Sequence, residues 1–375
     1  MPITDDIKSA AYKAGFHAVG ITTAQPFYKA QETLKEKWEG GLLTGSGYNP
    51  EVINLYTHPH KTLPGARSII SVALSYLTED APAPQTGSGP RGLVARFSRG
   101  MDYHPIMQER LSQLSARIRE IAGRPCRVLQ AADTGPFADR AVAVRAGVGF
   151  QGKNTCLYTK DWGSWVVLGE IITDLPLAPD APAPPRLCGD CNKCIKACPT
   201  GAISRPYTVD LRLCLSQVTQ MKGFIPPPLR EKMGARIYGC DTCQNACPLN
   251  AKAGCGGLKE FAQTSGIGEA PELIPLLQMT NAEFKKRVSP TTAGWIGRTR
   301  IRRNAAVALG NIGDSAAIPA LLAALADPSP IIRGHSAWAL AKIGGREAGD
   351  ALLAALAREP NPDAALEIKN ALEAF

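Results

Sequence analysis

Cys188-Gly189-Asp190-Cys191-Asn192-Lys193-Cys194-Ile195-Lys196-Ala197-Cys198-Pro199 is the stretch that organises the reading of this chain. Its C-x2-C-x2-C-x3-C-P spacing is that of bacterial ferredoxins, where one short loop wraps three corners of a [4Fe–4S] cube and the fourth cysteine serves a neighbouring cluster. A second run, Cys240, Cys243 and Cys247-Pro248, repeats C-x2-C-x3-C-P, but Ile237 stands where a leading cysteine belongs. Two clusters need eight thiolates and the two runs supply seven. The eighth comes from Cys126, Cys156, Cys214 or Cys255, and Cys214 is the choice because it lies between the runs. With the usual exchange of fourth ligands, one cluster takes Cys188, Cys191, Cys194 and Cys247, and the other Cys198, Cys214, Cys240 and Cys243. A zinc site beside a single cluster is the alternative for the second group, since zinc accepts the same thiolates. Two clusters in one small domain form an electron wire, so the chemistry must lie elsewhere.

Working outward, 375 residues exceed one ordinary domain, and Pro176 to Pro185 reads as the best boundary. Before it, helical and strand patterns mix. Helices are expected over 5–14 and 104–122, and strands over 17–22, 68–76, 126–131 and 165–172, the run Ser68 to Tyr76 being a buried strand. The mixture implies an α/β or α+β domain. The proline-rich stretch from Pro82 to Pro90 reads as a surface loop. After the cysteines, Ala308-Leu309-Gly310-Asn311-Ile312-Gly313 recurs 31 residues later as Ala339-Leu340-Ala341-Lys342-Ile343-Gly344, and the Leu321 to Leu325 block recurs at the same offset. Paired helices at this period look like HEAT repeats, too few to stand alone and expected to pack on the preceding domain. The expected division is 1–175 for the catalytic domain, 176–260 for the ferredoxin-like two-cluster domain and 261–375 for the helical repeats.

Composition removes other classes. Eleven cysteines mostly lie between Cys188 and Cys255, too local for a chain-wide disulfide framework. No apolar run is long enough to span a membrane, and the first residues carry no signal-peptide pattern, which gives a cytoplasmic protein without a membrane partner. The net charge of +9 is uneven. Lys285, Lys286, Arg287, Arg298, Arg300, Arg302 and Arg303 cluster around Trp295, and Lys222 stands near Phe224. Such a mixture of cations and aromatics fits RNA.

Asp133-Thr134-Gly135-Pro136 closes a predicted strand. A glycine-lined run follows, with Asp139, Arg145-Ala146-Gly147-Val148-Gly149-Phe150-Gln151-Gly152-Lys153-Asn154-Thr155, Gly163 and Gly169-Glu170. No phosphate-loop or dinucleotide fingerprint matches it. Together with the cysteine runs, Tyr238-Gly239-Cys240-Asp241-Thr242-Cys243-Gln244, Leu63-Pro64-Gly65-Ala66-Arg67-Ser68 and Asp102-Tyr103-His104, it resembles the tRNA epoxyqueuosine reductase family over nearly the whole chain. The resemblance implies a cobalamin-dependent iron–sulfur enzyme with two [4Fe–4S] clusters. Such an enzyme reduces epoxyqueuosine to queuosine in the tRNA wobble nucleoside, and Asp133 would be the proton donor. By the same resemblance Asp133, Thr155, Ser216, Gln217, Asp241 and Thr242 contact the corrin. Binding would be base-off, since Met107 replaces the glycine of the D-x-H-x-x-G cobalamin motif. Lys222, Arg298, Arg300, Arg302 and Arg303 would contact the anticodon stem-loop of tRNA. The resemblance further implies an unidentified electron donor and a monomer. Two departures from the family pattern are the unremarkable Asn54 to Lys61 stretch and Leu249 in place of a tryptophan. The alternative is a corrinoid iron–sulfur reductase acting on a small molecule, as reductive dehalogenases do. A ferredoxin-like electron carrier with an RNA-binding tail is a non-enzymatic alternative, and it would not need the pocket around Asp133.

Overall fold

All eight residues of the Ser68–Ser75 strand are buried, as a short run of β-branched and apolar residues with only small serines between them permits when both sheet faces are covered. In the computed structural model, which describes residues 2–79, 89–184 and 188–374, this strand lies inside a four-stranded antiparallel sheet. The order is Ala18–Thr23, Ser68–Ser75, Val166–Thr173, Val128–Ala132. The helix Pro2–Lys13 and the helix Tyr103–Ala122 complete the expected elements to within a few residues. The proline-rich loop expected from Pro82 to Pro90 lies mostly outside the described residues. The antiparallel pairing makes the domain α+β.

The two faces of the sheet are read from alternation along Val166–Thr173. Gly169 faces the helix Tyr103–Ala122, where a Cβ would come within 3.0 Å of the Met107 sulfur and 3.1 Å of Leu111. Leu168 and Ile172 face the other way, onto apolar clusters that contain Val142 and Ala143 of the short helix Asp139–Arg145. Glu170 lies between them on that same face, directly opposite Ser71 on one side and Ala131 on the other.

The chain divides into two compact units, residues 2–79, 103–212 and 242–258 in the first and 89–102, 213–241 and 259–374 in the second. This partition differs from the division read along the sequence. The stretch from Pro176 to Pro184 is not a free linker but part of the first unit. Leu175 and Leu177 are buried. Asp180 accepts a hydrogen bond from the Ile21 amide at 2.8 Å and pairs with Lys8, and Ala183 donates to the Val144 carbonyl at 3.0 Å.

In the second unit the helices Arg298–Ile312 and Pro330–Ile343 carry the repeated blocks. Small residues let them approach, and a Cβ at Gly310 would meet the Ala339 Cα at 2.8 Å. Their apolar faces continue onto Val94, Ile237 and Tyr238, so the repeats do pack on the preceding chain. The loop that carries Lys222 is anchored from below. Arg303, fully buried, donates to the carbonyls of Met221 at 2.7 Å, Gly223 at 2.8 Å and Thr219 at 3.2 Å. His335 accepts from the Ile225 amide at 3.1 Å and stacks on Phe224. Burial, then Arg230 and Arg303, pushes this histidine well below its usual pKa, so it stays a neutral acceptor. Among the described residues no helix is long and apolar enough to cross a membrane.

Arg303→Met strips the half-buried Met221 and Gly223 carbonyls of this donor and leaves Thr219 with Asn304 alone, so it should cost about 3 kcal/mol in denaturant unfolding. Lys222→Ala, on the exposed tip of the same loop, should stay within about 0.5 kcal/mol of the parent. Equal losses in the two variants would refute this anchoring.

Candidate active site and cluster ligands

Asp133 follows directly on the Val128–Ala132 strand with φ at 49°, a left-handed backbone uncommon for a residue with a Cβ. That turn stands its side chain out, 54% exposed, instead of returning it to the sheet. Tyr103, at the start of its helix, donates a hydrogen bond to Asp133 Oδ2 at 2.5 Å, and His104 Nε2 stands 3.8 Å from the same oxygen. The two rings stack with centroids 4.1 Å apart. Tyr103 and His104 thus orient the aspartate, a role that the spacing of their run alone did not reveal. Met107 is fully buried in the core, where it packs beneath the sheet.

Behind Asp133 lies a second pair of carboxyls that sequence reasoning missed. Glu170 is 0% exposed, and neither of its carboxylate oxygens has a hydrogen-bond donor. Asp139, first residue of the helix Asp139–Arg145, buries Oδ1, also without a donor. Burial, with the nearby Asp133 charge second, pushes the Asp139 carboxyl up to about 8. Burial, then Asp139 and Asp133, raises Glu170 well above the usual carboxyl range. The two carboxyls face each other closely enough to share a hydrogen bond, which requires at least one proton between them. Both residues stood within the quoted motif run, but only the sheet register brings position 170 under position 139.

Cations gather at the rim. Arg140 donates to the Thr155 carbonyl at 3.0 Å and hydroxyl at 3.3 Å, holding Thr155 at φ 67°. Lys37 donates to the carbonyl of Tyr207, another left-handed residue at φ 66°. Burial, then Arg140 and Arg205, lowers the Lys37 ammonium below its ordinary pKa. Tyr48 is raised by burial and stands in electrostatic range of Arg140, Asp139 and Asp133. The half-buried Lys37 with the exposed Arg140 and Arg205 makes a set of like charges that fits a phosphate.

The first unit also brings cluster cysteines together. Burial pushes the Cys194 thiol up, and so do Cys243, Cys188 and Cys247 around it. Cys191 donates its amide to the Cys188 carbonyl at 3.0 Å, closing the tight loop that the spacing predicts. Lys153 donates to Asn192 at 3.0 Å, tying this loop to the glycine-lined run. Cys198 is held below the usual thiol range. Burial opposes that shift, but the amides of Ile203, Thr200 and Ala202 and the Thr200 hydroxyl outweigh it, a cradle that suits a thiolate ligand. Cys156 was passed over as the eighth ligand in favour of Cys214. Its thiol instead hydrogen-bonds Cys243, the largest of the causes that raise Cys243.

In the second unit Ile237 is fully buried in the repeat core, which explains why no cysteine stands there. Cys214 opens the short helix Leu215–Val218, and Cys240 packs on the cluster that contains Leu215 and Val218. Ser216 and Gln217 are half-buried on that helix. Asp241 is buried and accepts from the Arg96 amide at 2.7 Å, whereas Thr242 belongs to the first unit.

Two of the expected RNA contacts need correction. Arg302 and Arg303 are buried: Arg302 pairs with Asp327 and donates to the Leu277 carbonyl, and Arg303 is spent on the loop carbonyls described above. A charge count along a helix cannot distinguish such interior cations from surface ones. Lys222 is exposed, and Arg298 and Arg300 are half-buried. Trp295 is 63% exposed, its indole N–H fixed on the Tyr238 hydroxyl at 2.8 Å and Arg300 lying over its ring.

The raised carboxyls fix a sign for stability. The folded chain keeps a proton on Asp139 that the unfolded chain, at 3.8, releases. Stability therefore falls as pH rises from about 4 towards about 8, by up to ~1.4 kcal/mol per unit for each proton held. Unfolding at pH 5 and pH 7 should show this loss in the parent and a smaller one in Asp139→Asn. An unchanged loss would contradict the shared proton.

Comparison with known proteins bears on this geometry. Residues 187–250 match the family described as 4Fe-4S double cluster binding domain, 57–134 match Epoxyqueuosine reductase QueG, DUF1730, and 297–373 match HEAT repeats. An epoxyqueuosine reductase of Listeria monocytogenes is 40% identical over 334 residues, covering 88% of this chain and 87% of the relative. A crystal structure of epoxyqueuosine reductase with a tRNA-Tyr epoxyqueuosine-modified stem loop superposes with a TM-score of 0.94 at 38% identity, over 100% of this chain and 98% of the other. The Bacillus subtilis enzyme, captured with its catalytic aspartate loop swung out of the active site, superposes at 0.92 with 36% identity, over 100% and 99%. With its QueG, double-cluster and repeat segments all matched, the chain belongs to the epoxyqueuosine reductase family and is an oxidoreductase.

Proposed function

We propose that this chain reduces epoxyqueuosine to queuosine in the anticodon wobble nucleoside of tRNA. Electrons would pass from two [4Fe–4S] clusters to cobalamin, with Asp133 as the proton donor. The observation that carries this reading is the setting of Asp133: a left-handed turn at a strand end, an exposed carboxyl, and Tyr103 bonded to one of its oxygens. Opening an epoxide develops negative charge on oxygen, and a carboxyl fixed beside it supplies the proton.

Cobalamin, when bound, supplies a strongly nucleophilic cobalt for the epoxide-bearing ring. The proposed corrin contacts are Asp133, Thr155, Ser216, Gln217, Asp241 and Thr242. His104 is engaged near Asp133, which favours base-off binding without a histidine ligand. Ligation of the second cluster by Cys198, Cys214, Cys240 and Cys243 rests on the spacing of the motifs. The first set, Cys188, Cys191, Cys194 and Cys247, rests on the same spacing; the thiols of Cys243, Cys188 and Cys247 around Cys194 fit a cluster there. An external electron donor completes the reaction, and the chain acts as a monomer in the cytoplasm.

For tRNA, the proposed contacts are Lys222, Arg298 and Arg300, with Trp295 as a stacking surface. The exposed indole beside cations favours RNA over a small-molecule substrate, since stacking on an exposed ring is how unpaired bases are held.

Two experiments test the reading. Asp133→Asn should lower conversion of epoxyqueuosine tRNA by about 10²–10⁴-fold while leaving tRNA affinity unchanged; retained conversion would remove the acid assignment. Trp295→Ala should cost about 1–3 kcal/mol of tRNA binding. Lys222→Ala should flatten the dependence of log affinity on log salt by about one. A salt slope and affinity like the parent's in both variants would move the RNA surface elsewhere.

A further inference from the structure

We propose that the buried Asp139–Glu170 carboxyl pair is a proton reserve that reloads Asp133 within one turnover. The inference deepens the reading above and rests on Asp133 being the proton donor. Removing an epoxide oxygen as water takes up two electrons and two protons. The electrons come from the reductant of the family reaction, and Asp133 can hold one proton at a time.

The geometry supplies a second proton. Glu170 sits in the middle of a strand on the sheet face that the helix Asp139–Arg145 covers, opposite Ser71. Both Glu170 oxygens, Asp139 Oδ1 and Ser71 Oγ are shut from solvent without a hydrogen-bond partner. Buried carboxylates left bare in this way are costly, and two facing ones cannot both be charged. Protonation removes the cost, and it leaves acidic hydrogens stored beneath the active-site turn. The interactions that raise Asp139 and Glu170 include the Asp133 charge in each case, so the three carboxyls form one electrostatic group.

The other groups that face this cluster are few. Arg140 lowers Asp139, but its guanidinium is engaged with Thr155. Tyr48 lies within electrostatic range of both aspartates, and Tyr103 and His104 approach Asp133 from their own helix. His104 is the one rival proton source among them.

The step balances. Asp133 gives its proton to the departing oxygen and becomes a carboxylate. The Asp139 O–H bond then breaks as a new O–H bond forms on Asp133, and the Glu170 proton moves to Asp139. The reloaded Asp133 delivers the second proton, which completes water. Asp133 and the pair each end one proton short, and both protons return from solvent through the exposed Asp133 once product has left. No electron moves in this relay.

The test uses the full-length enzyme with its clusters and cofactor. Infrared difference spectra between about pH 5 and pH 9 need no turnover. They should show a titrating band of a protonated carboxyl that weakens in both Glu170→Gln and Asp139→Asn. In pH–rate profiles, Glu170→Gln should slow conversion at least about tenfold at pH 8 and by a smaller factor at pH 6, where solvent reloads Asp133 faster. The Gln variant is nearly isosteric and neutral, and the infrared reading on the parent stands even if a variant folds poorly. The absence of the carboxyl band in the parent would overturn the proposal. So would pH profiles in both variants that match the parent's while Asp133→Asn is inactive. Loss of the alkaline limb in His104→Gln, with none in Glu170→Gln, would assign the reload to His104 and overturn it too. Activity in Asp133→Asn would instead sink the acid assignment on which the relay rests.

Discussion

The contact between Asp139 and Glu170 is the constraint on which the active-site half of the molecule depends. It joins the first turn of a short helix to the centre of a fully buried strand, and the turn that carries Asp133 runs between the sheet and that helix. A leucine at position 170 would continue the apolar face formed by Leu168 and Ile172. A carboxyl there is costly unless it is protonated, and it ties the position of Asp133 to a group that titrates. The same register that puts Glu170 under the helix puts Gly169 against Met107 on the far side, so both faces of this strand are committed.

The second unit solves a different problem with similar means. Its repeats need close helix approach, which Gly310 and the alanines supply, and its exposed Lys222 loop has a fixed backbone, which Arg303 and His335 supply from inside. An interior cation on a helix therefore fixes the loop that carries an exposed one. Arg303 holds the carbonyls on either side of Lys222, and Lys222 is left to face solvent.

Much of this was legible in the residues. The short apolar, β-branched run at Ser68–Ser75, the 31-residue recurrence and the cysteine spacing each encode local geometry, and each predicted its element or site. What was not legible depends on partners distant in sequence. Pro176 to Pro184 reads as a linker by composition, and only the capture of Asp180 by Lys8 and the Ile21 amide shows that it is packed. Arg302 and Arg303 read as surface charge because periodicity does not reveal which carbonyls lie beneath a helix. Ile237 looked like a missing ligand and is a core residue. The Asp139–Glu170 pair could not be read at all, since the sheet register that joins them is not a local property.

One measurement tests the central claim most directly. The anaerobically reconstituted chain is incubated with reductant and epoxyqueuosine-containing tRNA, and the wobble nucleoside is then weighed by mass spectrometry. The account predicts a nucleoside lighter by one oxygen atom, formed only with both clusters and cobalamin present. An unchanged epoxyqueuosine mass with the fully loaded enzyme, or full conversion without cobalamin, would contradict it.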